Sequence, residues 1–190
     1  MASLGYDDVR ELRRRFSTGE TDIDTEARRH SLEELAATLR HTRARLQAIA
    51  DTWTDEQLSI QPLDGEGEDR WSASEAITHL IATENWYLLH MTRLLGRREH
   101  FDVMVRGLGD LARNGVPAAQ LSAELRQATE RLLSEIAAIG PDADLDAVRP
   151  SVYFGDLSLR GWVLLAVAHD VEHYEQIKRL TQSAGLPLLA

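Results

Sequence analysis

Apolar residues recur at helical spacing along most of the chain, and polar capping residues punctuate them. Leu32, Leu35, Leu39, Leu46 and Ile49 form one such stripe. It opens at Ser31 with Glu34 three residues on, a capping box in which each side chain satisfies the other's free backbone N–H. The stripe predicts a first long helix from Ser31 to about Asp51. A second starts at Ser72, again boxed by Glu75, and runs to about Leu95 before Gly96. A third strong helix follows Pro117 and stops at Gly140 and Pro141. The last opens near Ser158 and ends at Gly185, with Pro187 beyond it. Residues 100–113 suit a short helix interrupted by Gly107 and Gly109. Residues 142–155 read as a loop with an extended piece around 152–154. No alternating pattern is long enough to predict a sheet, so the expected fold is all-α, a four-helix bundle. Residues 1–26 read as an N-terminal arm, with a short helix over 7–16 and a polar linker over 17–25, preceding a bundle over 27–190. The polar loop around Gln61, Pro62, Asp64, Gly65, Glu66 and Gly67 is long enough to border a site.

The last helix carries the chemistry. At about 100° per residue, Trp162, Ala166, His169, His173, Ile177 and Leu180 fall within about 60° of one direction. Two histidines therefore sit one turn apart inside the stripe that should enter the core. Spacing of i and i+4 lets both imidazoles reach one point, as helices commonly present paired histidines to a metal. Burying two imidazoles is costly unless both nitrogens of each find partners; a metal satisfies one, and a neighbouring acceptor the other. A third ligand should lie on another core-facing stripe. On the second helix His79, Thr83, Trp86 and His90 share a face. His79 and His90 lie about 16 Å apart along the axis, so only one of them can join the pair. Periodicity leaves that choice open. His41 is a weaker candidate, and His30 and His100 sit near helix ends. Three neutral histidines would leave a coordination position for water or substrate. Zinc suits imidazole ligands, with nickel, iron and copper also compatible.

Composition narrows the function. The chain has 190 residues, no cysteine and a net charge of -10. Disulfides, thiolate metal sites and a cysteine nucleophile are excluded, so a thiol in the reaction must arrive as substrate. The arginines at 13, 14 and 15 are answered by Glu11, Glu20 and Asp22, which argues against a general nucleic-acid partner. No apolar run approaches the roughly 18 residues of a membrane span, and the N-terminus lacks the apolar stretch of a secretory signal. A cytoplasmic protein is expected.

Two segments resemble the DinB-like (YfiT-like) family of metalloenzymes. Gly155 to Ile177, with a Leu-Arg-x-Trp helix start leading into His-x-x-x-His, is similar to the family's C-terminal signature. Trp71 to Tyr87, in which a tryptophan and a serine open the helix and a histidine follows, is similar to its second-helix motif. The resemblance spans most of residues 31–183. It implies the DinB-like bundle, and it places the metal ligands on His79, His169 and His173. It implies a homodimer, and it points to transferase or isomerase chemistry with a low-molecular-weight thiol such as bacillithiol or mycothiol. A metal suits that role, because it lowers a bound thiol's pKa. Gly161 departs from the larger residue usual before that tryptophan.

Other readings are a non-catalytic metal-binding or stress-related bundle, and a zinc-dependent hydrolase in which His169 to His173 is read as His-x-x-Glu-His with Glu172 as base. For Asp170 and Glu172 a solvated helix flank is the expectation. The paired Glu-x-x-His motifs of a ferritin-like di-iron site are absent. Trp86 and Trp162 are expected in the core, and Tyr87 and Tyr174 in packing or at a site entrance. No residue stands out as a general base. Leu164, Val167 and Val171 make the last helix apolar nearly all round, which suits a central helix or a subunit interface.

Overall fold

The computed structural model describes residues 3–97 and 111–186. Seven α-helices are found there: α1 (Tyr6–Ser17), α2 (Ile23–Ala27), α3 (Leu32–Thr52), α4 (Asp55–Ser59), α5 (Ala73–Leu94), α6 (Ala118–Ala137) and α7 (Leu159–Ala184). The four long ones, α3, α5, α6 and α7, form a bundle in which α3 and α5 each touch both α6 and α7. This is the all-α, four-helix architecture expected. The predicted starts hold because their caps form. Ser31 accepts from the Glu34 N–H and Ser72 from the Glu75 N–H, each answered by the glutamate carboxylate. Gly185 ends α7 in the left-handed conformation, φ +65°, which costs glycine little. No helix among the described residues is long and apolar enough to cross a membrane. The short helix expected at residues 100–113 and the proline at 187 lie, wholly or for the most part, outside the described residues.

α7 is the central helix. Leu164, Val167 and Val171 are fully buried, so its all-round apolar character is taken up within the chain by α1, α2, α3, α5 and the segment before it. The N-terminal residues lie against it. Val9, Ile23 and Ala27 belong to the same core cluster as Trp162 and Val163. The stretch read as a polar linker already contains the first turn of α2, because Asp22 caps it by accepting from the Thr25 N–H and Ile23 is buried.

One expectation is corrected. A two-stranded antiparallel hairpin, β1 (Val148–Ser151) and β2 (Gly155–Ser158), precedes α7, and residues 152–154 are its exposed tip. Four-residue strands are too short for alternation to register. The loop between α4 and α5 also holds a 3-10 turn, Gly67–Arg70.

Candidate metal centre

α5 and α7 meet where their histidines face each other. The Ser72 cap fixes the start of α5, and His79 follows nearly two turns in; the Ser158 cap, accepting from the Gly161 N–H, does the same for α7. His79, His169 and His173 come together, with ligand-capable atoms all within 4.8 Å of one another. His169 Nε2 lies 3.2 Å from His79 Nε2 and 2.9 Å from His173 Nε2. A cation bonded to three imidazoles in tetrahedral geometry holds their nitrogens about 3.3 Å apart, so the cluster is close to the required size. His79 and His173 are buried, while His169 keeps partial exposure and marks the open side.

The surroundings of His173 settle where its proton sits. The Gln176 side-chain N–H donates to the Glu68 carbonyl, which turns its Oε1 toward His173 Nδ1 at 2.7 Å. His173 Nδ1 must therefore carry the proton, and its Nε2 presents a lone pair to the centre. On the other flank the Tyr87 hydroxyl lies 2.8 Å from His169 Nδ1. A phenol oxygen can accept from Nδ1–H, and in that arrangement His169 Nε2 also offers a lone pair. Such outer partners fix ring orientation and tautomer. Burial holds His173 down at about 3 and, with the neighbouring His173 and His79, holds His169 well below the usual histidine range. Neutral imidazoles with converging lone pairs are the donor set a divalent cation needs. Trp71, itself part-exposed, packs over two of the rings, stacked on His173 at 5.8 Å and tilted over His79 at 4.8 Å.

Behind the histidines lies a buried ionic network. Arg43 of α3 donates to Asp170 Oδ2 at 2.8 Å and reaches Glu84 Oε2 of α5 at 3.3 Å, and Thr42 also donates to Asp170. Arg131 of α6 approaches Glu84 at 3.6 Å. The expectation of a solvated flank is thus wrong for Asp170, which is fully buried; a cation 127 residues away in sequence makes that burial tolerable. Glu172 is the exposed residue expected, paired with Arg13 of α1 at 2.9 Å.

The remaining histidines stay out. His90 stacks on Trp162 at 4.2 Å and touches Trp86. His41 is exposed on α3 and His30 partly so; His100 lies outside the described residues. Trp162 is a core residue as expected. Tyr87 does more than pack, since its hydroxyl serves His169. Gln176 escaped the sequence reading, and Trp71 and Arg13 entered it only as the opening of a motif and as part of an arginine cluster, with no role at the site. Gln176, three residues after His173 and so on its face, carried a usable signal. The polar loop does border the site, through the Glu68 carbonyl.

Comparison with known proteins agrees with this architecture. YfiT from Bacillus subtilis, described as a probable metal-dependent hydrolase with an unusual four-helix bundle topology, is 19% identical, with a TM-score of 0.59 over 82% of this chain and 89% of that one. A DinB-like protein from Bacillus cereus is 14% identical, TM-score 0.57, over 83% and 95%. The colibactin self-resistance protein ClbS, solved in complex with a dsDNA, is 17% identical, TM-score 0.58, over 84% and 98%. No curated protein matches. At such identities the likeness is one of fold. The sequence profile of the DinB superfamily matches residues 38–177, from within α3 to the middle of α7 and across all three clustered histidines, and the chain belongs to that superfamily.

Proposed function

We propose that this protein is a metal-dependent enzyme whose three-histidine centre, His79, His169 and His173, holds a divalent cation, zinc in the first instance, and acts on a small molecule through a low-molecular-weight thiol. The observation that carries the reading is the forced lone pair of His173: Gln176 leaves its Nε2 no proton, and it lies 2.9 Å from His169 Nε2, which in turn lies 3.2 Å from His79 Nε2. A bound cation would supply Lewis acidity, stabilising a thiolate near neutral pH. The chain's own residues do the rest. Tyr87 and Gln176 hold the rings, Trp71 shields His79 and His173 from water, and the part-exposed edge of His169 is where a substrate enters. The absence of cysteine fits a thiol brought from outside.

A hydrolase is the second reading, favoured by the description of the Bacillus subtilis neighbour. It requires a carboxylate base at the rim, where Glu68 and Glu172 stand. Burial, then Glu172, raises the Glu68 pKa. The ClbS complex makes duplex DNA a partner to titrate, although a charge of -10 opposes phosphate binding.

Elemental mass spectrometry on tag-free protein tests the centre. About one metal per chain, lost in both His169→Ala and His173→Ala with helical content retained, is expected. A protein that holds no metal and takes up neither zinc nor nickel would refute the reading. Thiol-dependent turnover against thiol-independent ester hydrolysis then separates the two chemistries.

A further inference from the structure

α1 lies outside the residues matched to the superfamily, 38–177, yet it is fastened along the helix that carries two of the three histidines. Tyr6 donates to the Glu175 carboxylate and packs edge-on against Tyr174 at 5.5 Å. The Arg45 guanidinium of α3 sits over both rings, 4.6 Å and 5.6 Å from their centres. Val9 and Leu12 are buried beneath. This fixes the axis of α1 and sets Arg13 beside Glu172, in the turn between His169 and His173. The Arg13 side chain is 28% exposed, so it is largely desolvated. Glu172 is its one partner among the described residues and meets a single terminal nitrogen, whereas a guanidinium offers five donors in a planar fork.

We propose, resting on the metal reading above, that Arg13 is a substrate-recognition residue whose guanidinium receives a carboxylate of the small molecule bound at the three-histidine centre. Three neutral imidazoles bring no negative charge to offset a divalent cation, so the opening favours an anion. Arg13 is held at Glu172, within one turn of His169, the one ligand that keeps exposure. The flanking carboxylates of Glu172 and Glu68 disfavour a dianion such as phosphate and leave room for a single negative charge. A carboxylate matches the fork in shape and charge.

Cobalt(II)-loaded full-length protein, titrated with 2-mercaptoethanol and with 3-mercaptopropionate and followed by its visible absorption, tests this. The wild type should bind 3-mercaptopropionate about tenfold more tightly, the size of one half-exposed charged pair with good geometry. Arg13→Gln should erase the preference by weakening 3-mercaptopropionate alone. Arg13→Lys, which keeps charge without the fork, should restore part of it. Both variants should keep cobalt uptake and helical content, since the Arg13–Glu172 pair is at the surface. An unchanged preference in Arg13→Gln, or no preference in the wild type, overturns the proposal and leaves the metal centre standing. Failure to take up cobalt overturns both.

Discussion

Gln176 offers the sharpest test of how the centre is held. Gln176→Leu keeps the bulk of the side chain and removes its hydrogen bonds. The residue is 8% exposed and His173 1%, so no water replaces Oε1 at His173 Nδ1. Two consequences follow. In the metal-free protein a buried N–H loses its acceptor, which costs about 1–3 kcal/mol. The imidazole is also released to its other tautomer, with the proton on Nε2, where it can donate to His169 Nε2 at 2.9 Å. A metal must then displace that proton, and the ring is no longer aimed. Loss of such an outer partner weakens binding about 10- to 100-fold, which is about 1.4–2.7 kcal/mol. Competition with a chromophoric chelator for zinc measures this directly, with His173→Ala as the zero point. Zinc affinity in Gln176→Leu within twofold of wild type, while His173→Ala abolishes binding, would refute the claim that Gln176 sets the tautomer.

Two further substitutions probe the frame around the site. Burial raises the Glu84 carboxyl to about 7 against the pull of Arg43 and Arg131. A raised folded-state pKa means stability that is present below the unfolded value of about 4.5 and lost as pH rises through about 7. Glu84→Gln does not titrate, so in urea melts it should gain on wild type by about 1–2 kcal/mol between pH 5 and pH 8; a gap that stays constant or reverses sinks the assignment. At Gly161 an added Cβ would stand 2.6 Å from Asp24 Oδ1, the oxygen that accepts the Ser158 N–H, and 3.2 Å from the Leu157 Cβ. Gly161→Ala should therefore lower stability by about 1–2 kcal/mol, despite alanine's better helix propensity; a raised melting temperature would show that Asp24 yields freely.

The departure at Gly161 thus has a local cause. A larger residue there would strike α2, whose Asp24 reaches across to the start of α7. More generally, the long helices were legible because their signals are local. Ser31 with Glu34, Ser72 with Glu75, and the glycine after α7 each act within one turn of the chain. The hairpin before α7 has no such signal: its register pairs Val148 with Ser158 and Arg149 with Leu157, and neither strand spans enough residues to show a period. α2 was hidden in the same way, because its helical state depends on one cap and on Ile23 finding the core.

The site divides along the same line. The pairing of His169 with His173 is intrahelical, so spacing reveals it. The choice of His79 over His90 is interhelical. Both lie on one face of α5, and what separates them is the level at which each meets α7. His79 meets it at His169 and His173, whereas His90, further along α5, meets it at Trp162, nearer the start of α7. The two helices therefore run antiparallel, and one contact fixes the level of all the others. That level is shared with the buried ionic network. Arg43 of α3 holds Asp170 and Glu84 at once, and so ties α7 to α5 through a third helix at the residue next to His169. Asp170 looked solvated because a lone carboxylate at that position would be. Its burial follows from Arg43, 127 residues away in sequence, and the same tie gives His169 the rotation that turns it toward His79.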